Sequence, residues 1–287
     1  MTTSFDVQNA GTIEIAGKTL SRMGFGTMRL TGPEIMGEPA DRDECLRVVR
    51  AAYDAGVRIF DTAWYYGPDT SSRIVHEALA PYADDVLFVS KLGGSRTEDG
   101  GWVPATTLDE LREGAERECA LLGIDRLPVA HLRWMEIPGG LTFEAMLESF
   151  QTLQGEGLIE RIGLSTITID HVETARDAGV EVATVSNPFG PGMRDDDALV
   201  DRCAELGIPF LPYFSLQTSQ GSAALQQVAD EIGCTSSQVA IAWQLQRSPV
   251  IVPIPGTSKT AHLAENLAAT NIALSEAQVA TIEGPLV

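Results

Sequence analysis

Lysine is scarce in this chain: Lys18, Lys91 and Lys259 are the only three, against 17 arginines in 287 residues. Basic residues number 20 and acidic ones 40, for a formal charge of -20. Binding a polyphosphate would need a basic stripe, and none is present, so nucleic acid is excluded as a partner. Cysteine is sparse as well. Cys45, Cys119, Cys203 and Cys234 stand far apart, with no C-x-x-C and no histidine at ligand spacing. That argues against a disulfide framework and against any metal site, and leaves four reduced thiols in a cytoplasmic protein as the expectation. Also missing are the basic start and apolar run of a signal peptide, and any run of about 18 apolar residues able to span a bilayer. There is no short-period repeat and no low-complexity tract. These absences describe a soluble protein with no membrane partner, whose acidity serves solubility.

What is present is enough apolar residue, 44%, for one large core, and a single domain over residues 1–287 is expected. Thr12-Ile13-Glu14-Ile15 and Thr19-Leu20-Ser21 flank a Gly17 turn and predict a β-hairpin, placed to plug the bottom of a barrel. Strands are then predicted at Met23–Met28, 57–60, 86–90, 127–132, 161–164, 181–185, 208–213 and 250–254. Helical periodicity follows each of them; the first helix opens on Asp41-x-x-Glu44 as a capping box. Eight strand–helix units make a (β/α)8 TIM barrel with an N-terminal β-hairpin the predicted fold. An open doubly wound sheet would carry G-x-G-x-x-G ahead of a helix, whereas Gly24-Phe25-Gly26 lies within a strand.

In such barrels chemistry collects where the strands end. The strand ends carry Thr27, Asp61, Lys91, Arg133, Ser165 with Thr166, Ser186 with Asn187, and Tyr213. A tyrosine is a poor acid at neutral pH; a nearby ammonium would lower its pKa, and a carboxylate would keep that ammonium charged and placed. Tyr66, Lys91 and Asp61 form such a set if their strands are neighbours. The alternative reading, the weaker of the two, is a buried ion pair with a loop aromatic beside it. The last turn, Pro255-Gly256-Thr257-Ser258-Lys259, runs into a helix and gathers backbone donors, hydroxyls and an ammonium, which suits a phosphate; a plain solvated lysine is the alternative. Met28, Trp64, Trp102 and Phe189 follow strands and would wall an aromatic-friendly pocket, or else serve as loop anchors.

Together, Asp61-Thr62-Ala63-x-x-Tyr66-Gly67, Val89-Ser90-Lys91, Ile162-Gly163-Leu164-Ser165, Leu211-Pro212-Tyr213-Phe214-Ser215-Leu216 and Ile254-Pro255-Gly256-Thr257-Ser258-Lys259-x-x-His262-Leu263-x-x-Asn266 resemble the aldo-keto reductase superfamily over nearly the whole chain. Pro39-Ala40-Asp41-Arg42 and Leu245-Gln246-Arg247-Ser248-Pro249 resemble the bacterial group that includes the NADPH-dependent pyridoxal reductase. The resemblance implies reduction of a small-molecule aldehyde or ketone by hydride from NADPH, with pyridoxal or a related aromatic carbonyl as substrate. It implies Tyr66 as general acid, Lys91 as the partner that lowers its pKa and Asp61 as the partner of Lys91. Tyr213 would stack on the nicotinamide, Ser165 and Asn187 would hold its carboxamide, and Lys259, Ser258 and His262 would hold the 2′-phosphate. Gly26, Thr27, Thr166, Ser186, Phe214, Ser215, Leu216, Gly256, Thr257 and Asn266 complete the implied cofactor set.

The chain departs from that pattern in places. The family's fourth catalytic position, a histidine, aligns with Arg133, and His131 reads as a hydrogen-bonded core residue. An arginine binds oxyanions but relays no proton at neutral pH, which favours substrates with an anionic group. Thr166 stands for an asparagine and Ser186 for a glutamine, both shorter. Ser215 replaces a proline, and Gln217 and Thr218 replace glycines, which puts the diphosphate-covering loop in doubt. Two other functions fit the same residues: a specialised-metabolism reductase of a ketone or an activated C=C bond, and an NADPH-sensing barrel without turnover.

Overall fold

The alternating N-terminal stretch folds as an antiparallel hairpin, β1 (Thr12–Ile15) with β2 (Lys18–Ser21). Ala16 and Gly17 take positive φ of 50° and 75°, the left-handed backbone that a two-residue hairpin turn needs. Ile15 and Leu20 are buried and pack with Ile59, Leu87, Val89, Val129, Leu211 and Val252. Those residues come from the successive barrel strands, so the hairpin seals the barrel floor.

The structure is a computed structural model that describes residues 7–214, 216 and 221–284. Six parallel strands form one sheet in the order β10-β9-β8-β5-β4-β3. They are β3 (Phe25–Gly26), β4 (Ile59–Asp61), β5 (Leu87–Leu92), β8 (Leu127–Arg133), β9 (Ile159–Ser165) and β10 (Val185–Ser186). Two further segments close the ring. Phe210 bridges Val185 on one side and Ile251 on the other, and the Gly24 N–H donates to the Pro253 carbonyl at 2.9 Å. The result is the expected eight-membered barrel, with its last strands much shorter than the 208–213 and 250–254 read from sequence. Pro209, Pro212, Pro253 and Pro255 supply no N–H to a ladder, which reduces these segments to single bridges.

Helices cover the outside: α1 (Arg42–Asp54), α2 (Thr70–Leu79), α3 (Leu108–Leu122), α4 (Phe143–Gly155), α5 (Ile169–Asp177), α6 (Asp197–Leu206), α7 (Ala223–Ile232), α8 (Ser236–Arg247), α9 (Thr260–Ala268) and α10 (Glu276–Ile282). Thr107 starts α3 with a reciprocal capping box to Glu110. At α1 the expected box is only half made. Asp41 accepts from the Glu44 N–H at 2.9 Å, but the Glu44 carboxylate turns away to Thr260 on α9. The glycine-rich stretch after β5 contains a small antiparallel hairpin, β6 (Gly94–Arg96) with β7 (Trp102–Pro104). It stands beside the C-terminal mouth. Among the described residues no helix is long and apolar enough to cross a membrane.

Candidate active site

Parallel register sets the site. Asp61, the last residue of β4, lies opposite Val89, and Lys91 two residues on carries its side chain to the same face. The Lys91 ammonium donates to Asp61 Oδ1 at 2.5 Å and to the Thr62 carbonyl at 3.2 Å, and both side chains are 6% exposed. Burial pushes the Asp61 carboxyl up, against the lowering by the Lys91 charge and its hydrogen bond. Among the described residues, buried Asp61 Oδ2 has no hydrogen-bond partner. Tyr66 is 8% exposed, and Lys91 Nζ lies 5.3 Å from its ring centroid. The Tyr66 phenol is pushed well above its ordinary value, first by burial and then by the Asp61 charge, and Arg133 is the cation that offsets them. Lowering by Lys91, expected from the residues alone, is therefore not the dominant effect. Burial wins because Lys91 is engaged by Asp61.

Arg133 ends β8 opposite Ser165 on β9 and reaches the mouth. His131, two residues earlier and opposite Lys91, stays in the core: its Nε2 is 2.7 Å from Thr184 Oγ1, and burial followed by the Lys91 charge holds its pKa well below the ordinary value. Tyr65 packs edge-on between the rings of Tyr66 and Trp102 at 5.4 and 5.7 Å.

These side chains line a cavity of about 640 Å³, with Gly26, Met28, Arg29, Tyr213, Phe214, Leu216 and Gly256 on its other walls. A second cavity of about 670 Å³ shares Met28, Arg29, Ile35 and Phe214 with the first and adds Ser258 and Lys259. The expected residues do not all meet there. Phe189 is fully buried between Phe210 and Trp243, and Trp64 packs on α3 beneath the Arg117 guanidinium, 4.5 Å above its ring; neither lines the pocket they were expected to wall. Ser186 donates to the Leu211 carbonyl at 2.8 Å. The Asn187 amide donates to the Ile167 carbonyl and Asp196, and its Oδ1 accepts from the Ile167 N–H, so its polar atoms are engaged by the protein. Thr166 takes a positive φ of 61° and sits 3.1 Å from the Tyr213 hydroxyl, steadying that ring from outside the cavity wall. Thr27, Thr257, His262 and Asn266 border neither cavity, and Ser215 lies outside the described residues.

A barrel with its polar strand ends gathered over a buried Lys–Asp pair is the setting in which the relatives become informative. Residues 22–285 match the aldo/keto reductase family. The chain belongs to that family. Over 282 residues it is 40% identical to a pyridoxine 4-dehydrogenase of Escherichia coli, covering 96% of this chain and 98% of the relative. An uncharacterised oxidoreductase of Schizosaccharomyces pombe is 32% identical over 97% of this chain and 90% of its own length. Among solved structures, a thermostable aldo-keto reductase bound to the inhibitor epalrestat superposes with a TM-score of 0.80 at 24% identity, covering 95% of this chain and 98% of that one. An aldo-keto reductase of Klebsiella pneumoniae in complex with NADPH superposes with a TM-score of 0.78 at 22% identity, over 95% and 93% of the two chains.

Within this aldo/keto reductase barrel, three residues escaped sequence reasoning. Arg29 sits on a short helical turn after β3 and belongs to both cavities. Nothing in a lone arginine after a strand marks it. Glu44 accepts the Thr260 N–H and hydroxyl, both at 2.9 Å, at the N-terminus of α9 beside Lys259. Those hydrogen bonds hold its carboxyl down to about 2. Glu118 on α3 is fully buried and accepts from Ser72 at 3.0 Å and Ser90 at 3.1 Å behind Lys91. It did leave a signal: Glu118 falls on the helical stripe of Leu111, Ala115 and Leu122, where a carboxylate is out of place.

Proposed function

We propose that this aldo/keto reductase reduces an aldehyde or ketone to the alcohol with NADPH, using Tyr66 as the general acid, and that its substrate is pyridoxal or a related aromatic carbonyl. The observation that carries the reading is the buried Lys91–Asp61 pair beneath Tyr66 on the wall of an aromatic-lined cavity. The pyridoxine 4-dehydrogenase relative supports the substrate class, since oxidising that alcohol is the reverse of reducing pyridoxal.

The residues present fit a nicotinamide nucleotide. Gly26 and Gly256 bring their backbones so close that a Cβ on Gly256 would stand 2.4 Å from the Gly26 carbonyl, which keeps the wall flat for a planar ring. Asp61 Oδ2, on a residue that lines the same cavity, is buried and has no hydrogen-bond partner among the described residues. Tyr213 and Ser165 would hold the nicotinamide end, and Arg29, Ser258 and Lys259 the phosphate end. Glu44 already takes up the first N–H of α9, so the 2′-phosphate relies on these side chains more than on the helix terminus. When bound, the nucleotide supplies the hydride and takes no part in moving the proton.

The chain's own groups do the rest. A phenol held above its ordinary value is fully protonated at neutral pH, so Tyr66 carries the proton to be delivered to the carbonyl oxygen. Asp61 holds Lys91 in place, and the ammonium and Arg133 favour the phenolate left after delivery. The aromatic walls exclude water. The test is loss of NADPH absorbance with pyridoxal, benzaldehyde and aliphatic ketones, comparing wild type with Tyr66→Phe. The variant should lose about 10²–10⁴-fold in kcat while binding NADPH unchanged; turnover independent of Tyr66, or none with any carbonyl, would sink the reading.

A further inference from the structure

Arg133 is a cation without an anion. Most arginines of this acidic chain pair with carboxylates, as Arg117 does with Asp69 and Arg247 with Asp197 and Asp201. Among the described residues no carboxylate meets Arg133. Its Nη1 lies 2.9 Å from the Met135 sulfur, a weak acceptor, and its guanidinium rests 5.7 Å from the Trp102 ring centroid. The backbone is fixed by the β8–β9 ladder, so the half-buried fork is held at the cavity wall with most donors unmet among the described residues. A second donor nearby is also unmet: among the described residues the buried Tyr65 hydroxyl has no partner, and Tyr65 lines the same cavity.

One aromatic ring, Tyr65, stands between Arg133 and Tyr66. Tyr65 touches Tyr66 edge-on at 5.4 Å. On its other side, the place where a Cβ on Gly94 would stand is 3.2 Å from Arg133 Nη1 and 3.6 Å from the Tyr65 ring. Lys91 does not compete for the same ligand atom, because Asp61 holds it.

We propose that the substrate is an aryl aldehyde or ketone bearing an ionised oxygen ortho to its carbonyl, and that Arg133 pairs with this oxygen while Tyr66 faces the carbonyl oxygen. This rests on the carbonyl-reductase reading above and narrows it. The ortho position keeps both oxygens on one edge of the substrate, to match Arg133 and Tyr66 on either side of Tyr65 in the same cavity. The aryl group follows from Tyr65, Tyr66, Trp102 and Tyr213 on the walls. A neutral carbonyl compound would offer Arg133 only the oxygen that Tyr66 also needs and no counter-charge, a loss for every such substrate. Pyridoxal, whose ring hydroxyl neighbours its aldehyde, belongs to the class. Arg133 is thus a specificity-determining residue.

The test compares salicylaldehyde with benzaldehyde across the ionisation of the salicylaldehyde phenol, in wild type, Arg133→Met and Arg133→Lys. Intrinsic reactivity cancels between enzymes. Above the phenol's pKa the salicylaldehyde-to-benzaldehyde ratio of kcat/KM should fall about tenfold or more in Arg133→Met and less in Arg133→Lys, which keeps the charge and loses the fork. Below that pKa the three ratios should converge. In parallel, calorimetric titration with salicylamide and benzamide, which are not reduced, reads the same pairing without turnover, with and without NADP+. Salicylamide should bind the wild type about tenfold more tightly than benzamide once its phenol is ionised, and Arg133→Met should erase the difference. Equal ratios in all three enzymes, or equal salicylamide binding in wild type and Arg133→Met, would overturn the proposal. If neither aldehyde is turned over the reductase reading fails, and the titration still decides the role of Arg133.

Discussion

Replacing Glu118 by glutamine should stabilise the protein above neutral pH and leave it unchanged in acid. The side chain is fully buried on α3, with Ser72 donating to both carboxyl oxygens at 3.0 Å and Ser90 donating to Oε1 at 3.1 Å. Burial pushes its carboxyl from 4.5 up to about 7, against the lowering by the two serine hydroxyls and the Lys91 ammonium; the Asp69 charge adds to the rise. Between those two values the folded protein retains a proton that the unfolded chain has lost. The stability this group contributes is therefore complete below 4.5 and is lost as pH rises towards 7. At about 1.36 kcal/mol for each pH unit, the gap amounts to about 3 kcal/mol. Glutamine has the shape of the neutral acid: its carbonyl can accept from Ser90, its amide can donate to the Ser72 hydroxyl, and it never ionises. The variant should match wild type near pH 4.5 and exceed it by about 3 kcal/mol above pH 7. With an unfolding entropy of about 2.1 cal/mol/K per residue, that is about 5 °C in Tm. Thermal unfolding of both proteins, followed by circular dichroism over a pH series, measures it. A stability difference that does not change with pH, or a variant less stable than wild type in mild alkali, would refute the reasoning.

Other predictions follow from particular contacts. Phe189→Ala removes a ring fully buried against Phe210 and Trp243 and should cost about 3–5 kcal/mol in urea unfolding without altering KM for carbonyls. His131 should keep the NMR signature of a neutral imidazole well below the ordinary 6.5, because burial and Lys91 depress its pKa; its contribution to stability is lost as pH falls below 6.5. Gly256→Ala sets a Cβ 2.4 Å from the Gly26 carbonyl, a backbone clash no rotamer relieves, so both Tm and NADPH affinity by fluorescence titration should drop.

The barrel, and the gathering of polar strand ends at its mouth, were legible because both rest on local rules. Strand–helix alternation and turn residues announce eight units, and a polar residue closing an apolar strand must emerge at the mouth. Asp61, Lys91, Arg133 and Ser165 could be read that way, and strand parity separated Arg133 at the mouth from His131 below it. Loop side chains carry no such period. Phe189 and Trp64 follow strands as Trp102 does, yet the first two turn back into packing with helices and only Trp102, on the β6–β7 hairpin, faces the cavity. Tertiary structure alone also committed Asn187 to Ile167 and Asp196 and drew Glu44 across to α9. It further left Arg133 with no carboxylate among the described residues, while most other arginines found one. The periodicity of a chain tells which face of an element is buried; which partner meets that face, and which charge is left without one, depends on contacts between residues far apart in sequence.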